Sequence, residues 1–446
     1  MKKARIAVVA LAVLMLFAAV SCKEPHVHEF SKEWTSDAKN HWHVCECGEK
    51  AAEAKHALEV KKDGTNHWNE CSECGYKTEE VAHVYGDPQV KDGQVIQVCE
   101  CGDVKEVANA VVVGMESELK AAIEDGSKAI YLANSITLSK TITIKNGKDV
   151  CIFLNGFDIS SDECCFIMNA SGDGLGGTLK IEGNGSVSTT SSYAFFIFGN
   201  SNSEREAACK LSIGKDVKVS GTYAVSVFQG SGNSCYDVKI DIYGKVEGAQ
   251  PIYVRGSITN TERAIELNIH DNAEISCLDG KAIYLAGYAK TTFGKDVKVT
   301  SDGNAIAIAA GELVVNGSII TAGSKEGSDE GSGGSISTKY SSAIYVKQHD
   351  TNLSLKVAVN SGVLSGYIPF YQDKGQSATA KPDLVEISIT GGDFKVLSSD
   401  GPSVKSEDKT GFISGGMYTA KPADEYIKEG FEAKKLSENS WTVVSK

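Results

Sequence analysis

A segment near the N-terminus collects residues that could bind a metal ion. Residues 23–108 contain seven of the nine histidines and six of the thirteen cysteines of this 446-residue chain. Three histidines recur 28 and 27 residues apart, each followed two positions later by an apolar residue: His28 with Phe30, His56 with Leu58, and His83 with Tyr85. Imidazole and thiolate are donors that Zn²⁺ prefers in proteins. The segment is therefore a candidate array of metal-binding repeats.

Each of two repeats offers a pair of imidazoles and a pair of thiolates. In both, the first cysteine lies four positions after the first histidine, and the second histidine lies nine positions after the second cysteine. Two nitrogen and two sulfur donors suit a tetrahedral structural zinc site with no open position for catalysis. The two predicted ligand sets are His41, Cys45, Cys47 and His56, and His67, Cys71, Cys74 and His83.

A third repeat is incomplete. It keeps Cys99 and Cys101, but Val95 stands in place of the first histidine and no histidine follows the second cysteine. We expect this unit to bind metal poorly, if at all. Disulfides are the alternative for an exported chain, although paired histidines have no role in them. A glycine follows each second cysteine and would allow a tight turn there: Gly48, Gly75 and Gly102.

The complete units resemble modules found in tandem near the start of many bacterial surface proteins. The resemblance rests on Asn40-His41-Trp42 and Cys47-Gly48, and on Asn66-His67-Trp68 and Cys71 to Gly75. It implies a structural or spacing role rather than a chemical one. Units this small have little core, so metal ligation would supply much of their folding free energy, on the order of 10 kcal/mol or more per site.

The chain begins with a leader of the secretory type. Lys2, Lys3 and Arg5 precede an uncharged run over residues 6–20, which is long enough for a signal sequence but short for a membrane span. The run ends in Ala19-Val20-Ser21-Cys22, which resembles the lipobox of bacterial lipoproteins, where the cysteine is acylated and becomes the new N-terminus. The resemblance implies a signal peptide over residues 1–22, and a membrane anchor on Cys22 that holds an exported chain at the bacterial cell envelope.

One short apolar strand recurs along the rest of the chain. It reads Ala-Ile-Tyr-Leu-Ala at 282–286, and related strands begin at 194, 224, 251, 305 and 343. Intervals of 23 to 38 residues are typical of one structural unit stacked on the next. The sequence therefore predicts an all-β solenoid in which the apolar positions, such as Ile283 and Leu285, face inward.

The start of the solenoid resembles a known fold. A helical pattern over residues 115–124 places Leu119, Ala122 and Ile123 on one face, which would cover the open end of the stack. Alternating strands follow, and then Leu-Asn-Gly-x-x-Ile over residues 154–159. Together these features resemble right-handed parallel β-helix proteins of the pectate-lyase-like type. We expect a β-helix over residues 111–420 and a C-terminal cap segment over 421–446.

Composition limits the partners. The formal charge is −13, whereas nucleic acids and anionic membrane surfaces are bound through clustered Lys and Arg. We therefore expect no nucleic acid partner. The outward position of the recurring strand carries Tyr253, Tyr284 and Tyr345, which could form an aromatic strip that stacks against sugar rings. Tyrosine is also simply a good strand former on a half-exposed face.

These observations favour a non-catalytic, adhesin-like cell-surface protein that binds a glycan or a host surface ligand through the outer face of the β-helix. The alternative is a polysaccharide lyase or glycoside hydrolase with an unfamiliar site, which would need convergent carboxylates. After the leader the chain has only three arginines. Its acidic residues are scattered and show no paired motif: Asp237, Asp241, Asp271 and Glu274.

Overall fold

The computed structural model describes residues 27–144, 147–168, 176–190, 193–198, 209–228, 237–255, 263–278, 280–327, 336–377, 379–398 and 401–446. The chain divides into two units. The first extends to Asp87 and includes Gln97–Lys105; the second comprises Pro88–Ile96 and Glu106–Lys446.

Three small sheets hold the His/Cys repeats. Pairs of strands within each form antiparallel hairpins. The strands are β1 (Thr35–Ser36), β2 (Asn40–Val44) and β3 (Lys50–Lys55); β4 (Leu58–Lys62), β5 (Asn66–Cys71) and β6 (Val81–Ala82); and β7 (Gln89–Lys91), β8 (Gln94–Val98) and β9 (Val104–Glu106).

The larger unit is a right-handed parallel β-helix, as the sequence predicts. Its strands form three long sheets. The chain visits the first, second and third sheets in turn and then returns to the first, so each circuit adds one strand to each sheet. The first sheet contains, in spatial order, β10 (Ala110–Val113), β11 (Ala129–Leu132), β14 (Asp149–Phe153), β17 (Gly177–Glu182), β20 (Cys209–Ile213), β23 (Val238–Ile242), β26 (Ile265–Ile269), β29 (Ala289–Phe293), β32 (Gly311–Val315), β35 (Leu355–Val359) and β38 (Val385–Ile389).

The second sheet is parallel except at its C-terminal edge. It contains β12 (Ile136–Leu138), β15 (Asp158–Ser161), β18 (Gly185–Thr189), β21 (Val217–Ser220), β24 (Lys245–Gly248), β27 (Glu274–Cys277), β30 (Lys298–Ser301), β33 (Ser318–Thr321), β36 (Gly362–Gly366), β39 (Asp393–Val396), β41 (Met417–Tyr418), β43 (Ser440–Ser445) and β42 (Phe431–Ser437). The last two strands form an antiparallel hairpin that joins β41.

The third sheet carries the recurring strand. It contains β13 (Ile142–Ile144), β16 (Phe166–Met168), β19 (Tyr193–Ile197), β22 (Tyr223–Val227), β25 (Ile252–Val254), β28 (Lys281–Leu285), β31 (Asn304–Ile308), β34 (Ile344–Val346), β37 (Phe370–Gln372) and β40 (Val404–Ser406). The six predicted copies of the strand lie on β19, β22, β25, β28, β31 and β34, which are successive neighbours. The prediction of a stacked repeat is therefore confirmed.

Apolar ladders along the axis form the core. Leu211 is in register with Ile240, and Ile240 with Leu267, and all three are almost completely buried. Parallel strands about 4.8 Å apart place equivalent side chains in contact from coil to coil. Ile283 and Leu285 also lie in this core, as expected. Each buried Leu or Ile contributes roughly 1.5–3 kcal/mol relative to an exposed one, so repetition of the ladder stabilises the stack.

The N-terminal end of the β-helix is closed by a helix, α1 (Glu116–Glu124). Its buried side chains are Leu119, Ala122 and Ile123, the face predicted from the sequence, and they belong to the main core. Glu116 accepts hydrogen bonds from Lys120 and from the hydroxyl of Ser139 (2.8 Å). The Ser139 contact links the first turn of the helix to the segment that follows β12. Among the described residues, short 3-10 helices occur at Pro382–Leu384 and Asp424–Tyr426.

The segment 336–342, here called the strap, packs on the outer face of the third sheet. Ile336 is fully buried, and its amide donates to the hydroxyl of Tyr284 (2.8 Å). The amide of Lys339 donates to the hydroxyl of Tyr345 (3.0 Å). Over residues 321–342 the repeat pattern breaks into Gly, Ser, Lys, Asp and Glu, which predicts a surface excursion from one coil. The strap, at the end of that segment, is instead largely buried. Two acidic residues of the excursion, Asp329 and Glu330, lie outside the described residues.

Candidate metal centres

In the described part of the chain, histidines and cysteines form three groups whose ligand atoms lie within 4.8 Å of one another. Set A contains His41, His56, Cys71 and Cys74; set B contains His67, His83, Cys99 and Cys101; set C contains His28, Cys45 and Cys47. Each set combines the histidines of one repeat with the cysteines of the next. Such groups could hold a metal ion at the N-terminus of the chain.

This arrangement corrects the predicted pairing within each repeat. His41 lies near the start of β2, whereas Cys45 follows its end, and His67 and Cys71 are likewise near opposite ends of β5. Four residues of extended chain span about 13 Å, which is too far for two ligands of one metal ion. The incomplete repeat is also reassigned, because Cys99 and Cys101 complete set B.

Strand pairing brings successive repeats together. Leu58, two residues after His56, pairs with Cys71 across β4 and β5. The other two repeats use the same relationship, since Phe30 bridges to Cys45 and Tyr85 bridges to Cys99. In every case the residue two positions after a histidine lies opposite the first cysteine of the following pair. This register places the histidine beside that cysteine pair.

Backbone carbonyls orient two of the imidazoles. The Nε2 of His56 lies 2.8 Å from the carbonyl oxygen of Asp37, and its Nδ1 lies 3.3 Å from the Cys74 sulfur. In set B, His83 makes the same two contacts, with the Asp63 carbonyl (2.9 Å) and Cys101 (3.3 Å). An N–H donated to a carbonyl fixes the tautomer that leaves the other nitrogen available to a metal. The carbonyl contact raises the pKa of both histidines.

The remaining histidine of set A is fully buried. The Nδ1 of His41 lies 3.6 Å from the sulfur of Cys71, and its Nε2 lies 3.1 Å from the carboxylate of Glu73. The corresponding distance in set B, from the Nδ1 of His67 to the Cys99 sulfur, is 4.0 Å. The two sets thus share one arrangement of two imidazoles facing two sulfurs.

Turns at the cysteine pairs favour the thiolate form of the first cysteine. Burial raises the pKa of Cys71, but hydrogen bonds from the backbone amides of Cys74 and Glu73 and from His56 outweigh it and lower the pKa to about 6. The pKa of Cys99 is lowered to about 7, mainly because its sulfur accepts a hydrogen bond from the backbone amide of Cys101. Thiolate is the metal-binding form of cysteine. The predicted glycine turns are confirmed, since Gly48, Gly75 and Gly102 all have positive φ.

Asp37 and Asp63 are functional residues that sequence reasoning missed. The carboxylate of Asp37 accepts the amides of Lys39 and Asn40 (both 2.8 Å), and Asp63 accepts those of Thr65 and Asn66 (both 2.7 Å). These turns hold the carbonyls that face the two imidazoles. The signal was available, because each aspartate precedes the Asn-His pair of its repeat by three residues.

The predicted ligand-binding tyrosines all lie in the third sheet, on β25, β28 and β34, but two of them are not accessible. Tyr284 and Tyr345 are fully buried beneath the strap, so the expectation of an exposed strip through them is wrong. Tyr253 is half-buried and contacts Tyr284, with ring centroids 5.4 Å apart. The sequence could not reveal this burial, because the covering segment is polar and irregular.

An accessible group of aromatic rings lies further toward the N-terminus of the same sheet. We call this group the aromatic surface; its rings are half-buried and each contacts another member. The guanidinium of Arg255 lies 4.7 Å from the ring centre of Phe228, within the range of a cation–π interaction. The members are Tyr193, Phe196, Phe198, Tyr223, Phe228 and Tyr253.

The acidic residues considered for catalysis make internal contacts. Asp237 pairs with Arg263, and Asp241 lies 2.9 Å from the Nε2 of His270. Glu274 pairs with both Lys245 (2.8 Å) and Lys298 (3.2 Å). The carboxylate of Asp271 accepts the amide of Lys295 (2.8 Å). These acids lie in separate local networks rather than at one centre.

In the described part of the chain no two cysteines form a disulfide. Within the β-helix, Cys164, Cys165 and Cys209 are buried, and burial raises the pKa of Cys164 and Cys165 to about 12. Cys22, the predicted lipidation site, lies outside the described residues. The described helices include none that is long and apolar enough to cross a membrane.

Comparison with known proteins adds one distant similarity. No family model matches the chain, and no curated protein matches it. A solved structure named L. reuteri 53608 SRRP is 15% identical, with a TM-score of 0.38, and the match covers 67% of this chain and 99% of that one. A similarity at this level does not carry a function from one protein to another. The fold and the site define a parallel β-helix protein preceded by His/Cys repeats that could hold metal ions.

Proposed function

We propose that this chain is a lipid-anchored, non-catalytic protein of a bacterial cell surface. Its repeats bind structural zinc and act as a spacer after the anchor, and its β-helix binds a glycan. The observation that carries the proposal is the pair of closed His₂Cys₂ groups, sets A and B. Four donors complete a tetrahedral zinc site and leave no position for substrate, which is typical of structural rather than catalytic zinc.

Several features support zinc over other metals. Thiolate and imidazole together suit Zn²⁺, whereas carboxylate and carbonyl oxygens suit Mg²⁺ and Ca²⁺. The carbonyls of Asp37 and Asp63 supply the outer contacts that orient metal-bound histidines. Elemental analysis of the purified full chain should find at least two zinc ions. A metal-free chain with its repeat cysteines oxidised would contradict this part of the proposal.

The aromatic surface supports the binding of a glycan. Aromatic side chains combine a large apolar face with, in tyrosine, a hydroxyl that can hydrogen-bond. Three successive coils present such rings through Tyr193, Tyr223 and Tyr253. Aromatic rings repeated from coil to coil would suit the successive sugar units of a linear polysaccharide. Because the strap covers Tyr284 and Tyr345, this surface is limited to the coils that precede Tyr284 in the sequence.

A binding screen against neutral and acidic polysaccharides tests this role. We expect Tyr223→Ala and Phe196→Ala to weaken retention of the bound polysaccharide, while Tyr243→Ala, a change at an exposed tyrosine directly after β23, should not. The same polysaccharides should be recovered uncut. Bond cleavage that a single carboxylate substitution abolishes would overturn the non-catalytic proposal and favour the lyase or hydrolase alternative.

A further inference from the structure

The first imidazole of set A is more enclosed than that of set B. His41 is completely buried, and Trp34 packs against its ring with centroids 4.3 Å apart. At the equivalent position of the next repeat, seven residues before His67, stands Val60, which is 55% exposed. His67 itself is only half-buried. The gap between the imidazole Nδ1 and the facing sulfur is 3.6 Å in set A and 4.0 Å in set B, so set A is also the more closely assembled.

The outer nitrogen of His41 is buried without a hydrogen bond. In the described part of the chain, its Nε2 has no partner of suitable hydrogen-bond geometry. The carboxylate of Glu73 nevertheless lies 3.1 Å away, so an acceptor is within reach and only its direction is unsuitable. The side chain of Glu73 is 56% exposed, and a small rotation would align it. A buried polar atom without a partner is costly and is rare in native proteins.

Metal binding would give Nε2 the hydrogen that this contact needs. When the Nδ1 of a neutral imidazole binds a metal ion, the proton resides on Nε2, which is then a hydrogen-bond donor. A carboxylate that accepts this hydrogen bond fixes the orientation of the ring and raises the basicity of the metal-bound nitrogen. His56 already has an outer acceptor in the carbonyl of Asp37 (2.8 Å). With Glu73, both imidazoles of set A would have one.

The cysteine pair of set B is built differently. Two residues, Ser72 and Glu73, separate the cysteines of set A, whereas Glu100 alone separates those of set B. Glu100 also directly precedes the second cysteine of its pair. Among the described residues, however, no carboxylate forms an ion pair with His67 as Glu73 does with His41. Set B therefore has an outer acceptor for one imidazole, the carbonyl of Asp63, and not for the other.

We propose that Glu73 is a positioning residue for His41, and that set A is therefore the tighter zinc centre while set B exchanges its zinc more readily. This inference rests on the proposed zinc binding by the repeats and divides it between a permanent and an exchangeable site. Loss of an outer acceptor typically weakens metal binding by roughly 10- to 100-fold. A difference of that size is expected between the two sets.

The test measures the zinc affinity of each set in the full chain by competition with a chromophoric chelator. All chains carry Cys47→Ser, which disables set C. Cys101→Ser then leaves set A for measurement, and Cys74→Ser leaves set B. Glu73→Gln should weaken zinc binding by set A by roughly 10- to 100-fold. Its matched control, Glu100→Gln, should leave the affinity of set B nearly unchanged.

A spectroscopic measurement separates positioning from a general loss of structure. In the zinc-loaded chain labelled with ¹⁵N-histidine, the buried Nε2–H of His41 should give a low-field proton signal in the NMR spectrum. Glu73→Gln should move this signal upfield, because a neutral amide is a weaker acceptor than a carboxylate. The signals of His56 and His83, whose acceptors are backbone carbonyls, should stay in place.

Equal affinities of the two sets, a tighter set B, or an unchanged affinity of set A in Glu73→Gln would overturn this inference and leave the proposed zinc binding intact. A weakened set A with an unmoved His41 signal would also overturn it, because Glu73 would then not act through His41. A chain that binds no zinc would overturn both this inference and the proposed zinc binding.

Discussion

Leu58 pairs with Cys71 across two antiparallel strands, and this register places the histidine of one repeat beside the cysteines of the next. The metal sets are therefore interleaved along the chain rather than contained in single repeats. The equivalent bridges from Phe30 and Tyr85 show that the relationship is general in this segment.

Two matched double variants test the interleaving. His56→Ala with Cys74→Ala changes set A alone, so we expect the loss of one metal ion per chain. Cys74→Ala with His83→Ala changes sets A and B, so we expect the loss of two. Elemental analysis of both variants decides the matter, because pairing within repeats gives the reverse result.

Chelation should unfold the repeats and spare the β-helix. Structural zinc contributes on the order of 10 kcal/mol to domains this small, whereas the β-helix has its own apolar core. Three of the four tryptophans, Trp34, Trp42 and Trp68, lie in the repeats. We expect EDTA to change tryptophan fluorescence strongly and to leave the β signal in circular dichroism nearly intact. Loss of both signals together would show that the two units unfold as one.

The contact of α1 with the β-helix should depend on pH through Glu116. Hydrogen bonds from Lys120 and then Ser139 lower the pKa of Glu116 to about 2, from an ordinary value of 4.5. Because the pKa of Glu116 is lower in the folded chain than in the unfolded chain, its ionised carboxylate stabilises the fold above pH 4.5. This contribution is lost as the pH falls toward 2. We therefore expect Glu116→Gln to lower the urea midpoint of the β-helix at pH 7 and to have little effect near pH 2. An equal effect at both pH values would contradict this role of the charge.

The strap should loosen when Tyr284 loses its hydroxyl. Tyr284→Phe leaves the buried amide of Ile336 without its acceptor, which costs about 1–3 kcal/mol. Hydrogen exchange at Ile336 should become faster by a factor of about 5 or more. Tyr243→Phe, at an exposed tyrosine, is the matched control and should change stability by less than about 0.5 kcal/mol. Unchanged protection at Ile336 would argue against the strap contact.

The sequence was sufficient to predict the fold because the same apolar strand recurs every 23 to 38 residues. Ile283 and its counterparts are apolar in every copy, and stacking one copy on the next is the arrangement that buries them all. The capping helix was equally readable, since Leu119, Ala122 and Ile123 lie on one face. Both predictions depend on local patterns that the structure preserves.

The grouping of metal ligands could not be read from spacing alone. In a tandem repeat, His56 is at a constant separation both from the preceding Cys47 and from the following Cys74, so regular spacing fits either pairing. The useful signal was the set of candidate ligands that pairing within repeats leaves unused. These are His28 at the N-terminal end of the repeat segment, and Cys99 and Cys101 at its C-terminal end. The burial of Tyr284 and Tyr345 was hidden for another reason, namely that a polar loop can cover an outward face without any periodic pattern.

Interleaving also has a mechanical consequence. A metal ion in set A would close a loop from His41 to Cys74, and one in set B would close a loop from His67 to Cys101, so residues 67–74 would belong to both loops. Suppose that the chain is pulled from its ends and one metal site breaks. Only part of its loop would then be released, because the other site would still hold residues 67–74. We expect the repeats to extend under load in separate steps, each limited by the breaking of metal–sulfur bonds.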